Sequence, residues 1–182
     1  MICFYNLIFI FDSNNFFYTG FSYGGHAALR LMKDLEFGDK RKWAGIVSLE
    51  PPCNIFHEPR NFITPILVLK GGESHYEPKP CKTMIDLYAS AGADASLKIF
   101  PKSNHFFSHN GKIVKGVAFN GCGDNPVIIG INNSLKFLDG SQVNRKIVRK
   151  KCFTKTAGSG KSREDLKLAI NASIEFFKSK LN

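Results

Sequence analysis

With 182 residues, of which 43% are hydrophobic, the chain can bury the core of one domain and gives little support for two. Its five cysteines have no metal-ligand spacing, which argues against a metal site. The formal charge of +10 lies mostly in residues 141–182, where 11 basic side chains stand against 3 acidic ones, and without a nucleic-acid motif this pattern favours a solvated basic face over a nucleic-acid site.

The first eleven residues, MICFYNLIFIF, are apolar but lack the basic start of a signal peptide. Asp12 ends this run well short of the ~20 residues that span a bilayer. We therefore expect neither a signal peptide nor a membrane anchor.

Four predicted strands alternate with helix-length segments between residues 14 and 100. The strands cover residues 14–19, 43–49, 66–69 and 97–100, and helices cover residues 26–32 and 78–92. Such alternation is typical of βαβ units. We therefore predict an α/β fold, with a mostly parallel sheet flanked by helices.

Residues 107–160 break this rhythm, because they are rich in Gly, Asn and Lys, and they predict an irregular insertion or a small hairpin at the surface. A final helix is predicted over residues 162–181, with Ser162 as its cap and Asp165 at the capping-box position. The whole chain, residues 1–182, is interpreted as a single domain.

The start of this last helix resembles the end of a nucleotide-binding loop. Gly160-Lys161-Ser162 matches, but Lys155 occupies the place of the first glycine and no clear buried strand precedes it. A capped helix start is the better interpretation, and no cofactor is implied.

The motif that carries chemistry is Gly20-x-Ser22-x-Gly24, between the first strand and the first helix. In a G-x-S-x-G elbow, a sharp strand-to-helix turn exposes the serine hydroxyl above the carboxyl edge of the sheet. We therefore predict strained backbone geometry at Ser22 and a nucleophilic role for its hydroxyl.

A serine hydroxyl needs a neighbouring base, and that base needs an orienting acid. His105 follows the fourth strand, where this chain order expects the base, so we predict it within hydrogen-bond reach of Ser22. The remaining histidines fit less well: His26 lies in the elbow helix, His57 and His75 in loops, and His109 four residues further on.

These segments resemble the dienelactone hydrolase family over residues 12–107. The resemblance rests on Asp12-Ser13-Asn14-Asn15 before the elbow, GFSYGGHAAL, SLEPPC, PILVLKGGESHYEP and IFPKSNHFF. It implies a partial α/β-hydrolase fold, a small-molecule ester or lactone substrate and no cofactor. It also implies Ser22 as nucleophile, His105 as base and the backbone N–H of Tyr23 in the oxyanion hole.

The sequence departs from the family at the triad acid. The family pattern G-G-x-D-x-x-x-P places an aspartate where this chain has Ser74. A neutral serine cannot stabilise an imidazolium as a carboxylate does. We take the neighbouring Glu73 as the acid, with Glu50, at the end of the preceding strand, as the alternative.

A second departure concerns the strands that precede the elbow in that family, which we expect this chain to lack. They would carry one of the two oxyanion donors and cover part of the sheet. Their absence would favour a catalytically inactive truncated hydrolase or interaction module, or a partner chain that covers the exposed sheet edge.

The tail resembles a branch of the family with an insertion before the last helix, which carries cysteines near Cys122 and Cys152. A disulfide between these two would be consistent with an oxidising compartment. The sequence does not decide between a cytoplasmic and a periplasmic location.

Three functions follow from the sequence. The first is a serine hydrolase of carboxylic esters or lactones, and the second is the inactive remnant or interaction module. The third and weakest is an anion-binding protein that acts through the basic cluster Arg145, Lys146, Arg149, Lys150 and Lys151.

Overall fold

A computed structural model describes residues 15–31, 43–107, 114–118, 120–159 and 163–181. Within these residues, no helix combines the length and the apolar character needed to cross a bilayer. The predictions for the apolar run at residues 1–11, for His109 and for the Ser162 cap lie outside the described residues.

In chain order, the elements are β1 (Phe17–Phe21), α1 (Tyr23–Arg30), β2 (Gly45–Leu49), β3 (Ile55–His57), β4 (Ile66–Gly71), α2 (Pro78–Ser90), β5 (Ala95–Phe100), β6 (Val114–Ala118), β7 (Val127–Ile129), β8 (Leu135–Phe137), α3 (Arg145–Ile147), β9 (Thr154–Ser159) and α4 (Leu166–Ser179). The central sheet has the order β1-β2-β4-β5, and its neighbouring strands are all parallel. The predicted α/β fold with a mostly parallel sheet is confirmed.

Helices cover both faces of this sheet because the central strands are apolar on both sides. On one face, α1 and α2 pack against β2 and β4 through a core that includes Ala28, Leu29, Ile46, Ile66, Val68, Met84 and Tyr88. On the other face, α4 packs through Val47, Leu67, Leu69, Phe100, Ala169 and Ala172. This arrangement leaves the carboxyl ends of the strands free to build a site.

The final helix begins later than its sequence pattern predicts, at Leu166 rather than residue 162. Asp165 immediately precedes the helix and makes no capping hydrogen bond with its side chain. Its carboxylate instead accepts a 2.6 Å hydrogen bond from the hydroxyl of Ser103, in the turn after β5. Asp165 therefore serves a tertiary contact, whereas the predicted capping box with Ser162 lies outside the described residues.

The segment predicted as irregular contributes to two further sheets. In one, β7 pairs in parallel with β3 and forms an antiparallel hairpin with β8. In the other, β6 and β9 form an antiparallel pair. Val127–Ile129 is fully buried in the first of these sheets. The prediction of a small hairpin holds, whereas the prediction of a surface excursion is wrong for β7, because its apolar residues have a partner in β3.

Two disulfides cross-link the described chain. Cys122 and Cys152 are bonded, with Cα atoms 4.6 Å apart, as the resemblance implies. Cys53 and Cys81 form the second bridge, with Cα atoms 4.8 Å apart, which the sequence did not predict. This second bridge ties the segment after β2 to the first turn of α2.

Candidate active site

Ser22 occupies a sharp turn between β1 and α1. The strand ends at Phe21, the helix begins at Tyr23, and Ser22 between them has φ 56° and ψ −118°. A positive φ is strained for a residue with a Cβ, and a 2.8 Å hydrogen bond from the Ser22 N–H to the Leu49 carbonyl holds it there. The strained turn that the G-x-S-x-G motif predicts is present.

Two glycines make room for this turn. A side chain at Gly20 would run into the backbone of Gly24, and one at Gly25 would meet the Leu49 carbonyl and the Ser48 hydroxyl. A side chain at Gly24 would meet nothing within 4 Å. Clearance therefore depends on Gly20 and Gly25, and not on the last glycine of the motif.

His105 lies beside the serine, in the turn after β5. Its Nε2 atom is 3.1 Å from Ser22 Oγ, within the predicted reach, and its backbone N–H donates to the carbonyl of Gly158 at 2.8 Å. Four rings pack around the imidazole, with centroid distances of 4.5 Å for His75, 5.2 Å for Tyr76, 5.2 Å for Phe21 and 5.3 Å for Phe106. This packing fixes the orientation of the ring.

Glu50 contacts the other nitrogen of that imidazole. Its Oε2 atom lies 3.0 Å from His105 Nδ1, and the carboxyl side chain is fully buried just after β2. Glu50 has φ 52°, a second strained residue at this edge of the sheet. Ser22, His105 and Glu50 thus stand in the order of nucleophile, base and orienting acid.

The structure places Glu73, the residue predicted as the acid, away from His105. Glu73 is exposed in the turn after β4, where its backbone N–H donates to the Ser103 carbonyl at 2.9 Å. Glu50, the alternative, ends the adjacent parallel strand and shares its carboxyl edge with that turn. The buried carboxylate therefore reaches His105, whereas the exposed one does not.

Ser74, at the place where the resembled family has its aspartate, supports the acid. Its hydroxyl donates to Glu50 Oε2 at 2.7 Å and accepts from the backbone N–H of Tyr76 at 3.2 Å. The same carboxylate oxygen accepts from Lys70 Nζ at 2.7 Å, and the other oxygen accepts from the Gly71 N–H. Glu50 is therefore held by four donors, counting His105.

These contacts decide the protonation of the acid. Burial by itself would raise the pKa of Glu50, but the charge of Lys70 and the hydrogen bonds from His105 and Gly71 outweigh burial and leave that pKa below its ordinary value. Burial lowers the pKa of Lys70, and Glu50 offsets part of this effect. The carboxylate is therefore ionised at neutral pH.

The rings next to His105 are neutral at the same pH. Burial, followed by the charges of His105 and Lys70, lowers the pKa of His75 to about 4. Burial and a hydrogen bond with Tyr23 raise the pKa of the Tyr76 phenol. At neutral pH, therefore, neither the His75 ring nor the Tyr76 ring places a charge next to the imidazole of His105.

Tyr23 is the first residue of α1, where a backbone N–H has no helical carbonyl to donate to. The positive end of the helix dipole also lies here. Both features suit an oxyanion that forms beside Ser22, as predicted for this residue.

A small apolar cavity of about 220 Å³ adjoins the elbow. Its walls include Phe21 and Phe106, whose rings both contact His105, together with Leu49 and Leu166. Arg163 also lines it and lies 5.8 Å from the centre of the Phe106 ring. A larger cavity of about 490 Å³ lies elsewhere, against the Cys122–Cys152 bridge. Neither cavity is lined by Ser22 or His105 themselves.

Two residues of the site were missed by sequence reasoning. Lys70 carried a usable signal, since a lysine inside the apolar strand Ile66–Gly71 is seldom fully buried without a partner. Gly158 carried none, because its contact with His105 joins segments that are far apart in the sequence.

Two other kinds of site considered from the sequence were a metal site and a nucleotide-binding loop. Among the described residues, no three His, Cys, Asp or Glu side chains cluster in a way that could hold a metal ion. Strand β9 precedes Gly160, and Lys155 is exposed in it where a P-loop requires its first glycine. Residues 160–162 themselves lie outside the described ranges.

Comparison with known proteins gives one distant structural likeness. No family model matches the chain, and no curated protein matches it either. The fold is similar to the crystal structure of a provisionally named dienelactone hydrolase from Klebsiella pneumoniae subsp. pneumoniae, with 18% identity and a TM-score of 0.39. The likeness covers 50% of this chain and 41% of that one, so the matched part is about two fifths of the bacterial protein. At this level of similarity, the functional assignment depends on the site itself.

Proposed function

We propose that this chain is a serine hydrolase that acts on carboxylic esters or lactones. The observation that carries the proposal is the continuous series of contacts from Ser22 Oγ to His105 Nε2, at 3.1 Å, and from His105 Nδ1 to Glu50 Oε2, at 3.0 Å. A hydroxyl, an imidazole and a buried carboxylate in this order form an activated nucleophile.

Each residue then has a defined step. As Ser22 Oγ attacks the carbonyl carbon of the ester, His105 takes its proton, and Glu50 stabilises the imidazolium that forms. The Tyr23 N–H donates to the oxyanion of the tetrahedral intermediate. His105 returns the proton to the leaving alkoxide and later activates the water that hydrolyses the acyl-enzyme. In a lactone, the leaving alkoxide stays attached to the acyl group.

The cavity beside the elbow supports a small substrate. Its volume of about 220 Å³ lies below the ~300 Å³ at which drug-sized pockets begin, and its walls are mainly apolar. We therefore expect short acyl esters or small lactones to be better substrates than long-chain esters.

The alternative of an inactive remnant loses one of its two arguments. That argument was the replacement of the family aspartate by Ser74, and Glu50 supplies a carboxylate in its stead.

The test is hydrolysis of p-nitrophenyl acetate by the purified chain and by single variants. Ser22→Ala and His105→Gln should lower kcat/KM by at least ~10³-fold, and Glu50→Gln by up to ~10⁴-fold, because the imidazolium loses its carboxylate. Glu73→Gln is the matched control and should stay within about twofold of wild type, since its exposed side chain makes no catalytic contact.

A fluorophosphonate probe gives a second readout of the same serine. Peptide mapping should find the label on Ser22, and His105→Gln should slow labelling. Turnover that survives Ser22→Ala, or a larger loss with Glu73→Gln than with Glu50→Gln, would contradict the proposal.

A further inference from the structure

Lys70 is a buried charge that the reaction as described does not use. Its side chain is fully buried in β4, where Nζ donates to Glu50 Oε2 at 2.7 Å and to the Pro51 carbonyl at 3.4 Å. The ammonium also lies 5.4 Å from the centre of the Tyr76 ring. Apolar residues can often replace a buried ion pair without loss of stability, so folding alone does not explain a lysine here.

The position of this charge relative to the base is what matters. Glu50 Oε2 accepts from both Lys70 Nζ and His105 Nδ1, so ammonium and imidazole share one carboxylate oxygen. A carboxylate alone would favour the protonated imidazole, which cannot take a proton from Ser22. The lysine opposes this effect, because its positive charge contacts the same carboxylate oxygen as the imidazole.

We propose that Lys70 is a positioning residue of the active site: it holds Glu50 against His105 and offsets the carboxylate charge, which keeps the imidazole competent as a base in mildly acidic solution. This inference rests on the proposed hydrolase function. It makes Lys70 one of the residues that set the pH range over which the site can catalyse hydrolysis.

Other titratable groups around His105 do not replace this effect. His75 and Tyr76, from the turn after β4, are neutral near pH 7. Tyr23 bonds to Tyr76, and the guanidinium of Arg163 lies 5.8 Å from the centre of the Phe106 ring. Glu50 is therefore the charged group that contacts the imidazole, and Lys70 is the opposite charge bonded to the same oxygen, Oε2.

The test compares the pH profile of kcat/KM for wild type and Lys70→Met. Without the ammonium, the acidic limb should move to higher pH by roughly one unit, which makes kcat/KM about tenfold lower at a pH on that limb. Lys98→Met is the matched control, because Lys98 is an exposed lysine on the neighbouring strand β5. Its profile should coincide with that of wild type.

A second variant guards against loss of folding. Lys70→Gln removes the charge but keeps a donor for Glu50, so it should fold more readily than Lys70→Met and move the limb in the same direction. An acidic limb that stays in place in a folded Lys70 variant would overturn the inference.

A measurement independent of turnover separates the two proposals. Proton NMR of the imidazole Cε1–H, assigned with His105→Gln, should give a higher titration midpoint in the Lys70 variants than in wild type. If wild type shows no Ser22-dependent hydrolysis but the midpoint moves, the hydrolase proposal fails and the charge effect stands. If hydrolysis depends on Ser22 but the midpoint does not move, the role of Lys70 is wrong.

Discussion

At the scale of single residues, Ser74 and Glu50 form a hydrogen-bonded pair beside the proposed base. The serine donates to the carboxylate at 2.7 Å, and the carboxylate lies 3.0 Å from His105 Nδ1. Restoring the family residue at position 74 would therefore put a second acid beside the first.

We expect Ser74→Asp to impair this protein. Two ionised carboxylates at this buried position repel each other, so the free energy of unfolding at pH 7.5 should fall by roughly 3 kcal/mol and hydrolysis should slow. The loss should shrink near pH 5, where one carboxyl can hold a proton. Urea unfolding at the two pH values measures the effect.

The matched variant is Ser74→Ala, which removes a single hydrogen bond and should cost about 1 kcal/mol. Faster hydrolysis in Ser74→Asp than in wild type would mean that position 74 is the natural place of the acid, and that Glu50 is a poor substitute.

His75 predicts a pH dependence of stability. Its pKa is about 4 in the folded chain and near 6.5 when unfolded, so the unfolded chain binds the extra proton between these values. The stability contributed by the neutral ring is complete above about pH 6.5 and is lost as the pH falls toward 4. Replacement by Phe should remove up to ~1.4 kcal/mol per pH unit from the slope of unfolding free energy against pH in this window.

Guanidinium unfolding at several pH values between 4 and 7 measures that slope. Tyr76→Phe is the control, because it alters the same cluster without removing a group that titrates in this range. An unchanged slope in the His75 variant would show that the imidazole is protonated in the folded chain.

At the scale of elements, β9 supports both the base and the turn that carries Ser74. Gly158 has φ 126°, its carbonyl accepts from the His105 N–H at 2.8 Å, and a Cβ there would collide with the backbone of Glu73 and His75. The antiparallel pair of β6 and β9 is therefore part of the site's framework.

We expect Gly158→Ala to lower stability by ~1–3 kcal/mol and to reduce kcat, because the collision displaces the backbone that holds His105 and the turn after β4. Gly140→Ala is the control, since Gly140 also has a positive φ, 85°, but open space around it. Thermal unfolding and ester hydrolysis of both variants test this. Equal effects in the two would mean that backbone strain alone matters.

At the scale of the whole molecule, two disulfides join cysteines that are 28 and 30 residues apart in the sequence, and all four of these cysteines are buried. Each should stabilise the fold by about 3 kcal/mol, so dithiothreitol should lower Tm markedly. Cys53 lies three residues after Glu50.

We therefore expect the double variant Cys53→Ala, Cys81→Ala to lose both stability and hydrolysis. Its counterpart, Cys122→Ala, Cys152→Ala, should lose mainly stability, because that bridge belongs to a separate buried cluster with Val127 and Phe137. Calorimetry and the ester assay distinguish these outcomes. A Tm that reductant leaves unchanged would show that neither bridge matters for stability.

The sequence by itself determined the features that depend on neighbouring residues. Alternating strands and helices predicted the parallel sheet, and the spacing of Gly20, Ser22 and Gly24 predicted the strained elbow. Chain order after the last central strand predicted His105. These signals are short-range, because turn sterics and apolar periodicity are set within a few residues.

Only the tertiary structure decided which carboxylate lies against His105, which donors hold that carboxylate, and which backbone Gly158 contacts. Glu50 and His105 are 55 residues apart in the sequence and meet at hydrogen-bond distance because parallel strands end at one edge of the sheet. Glu73 lies closer to His105 in sequence, yet it is exposed. Burial and strand order are properties of the folded chain. The local sequence pattern could therefore place Glu50 and Glu73 near the site, but it could not choose between these two carboxylates.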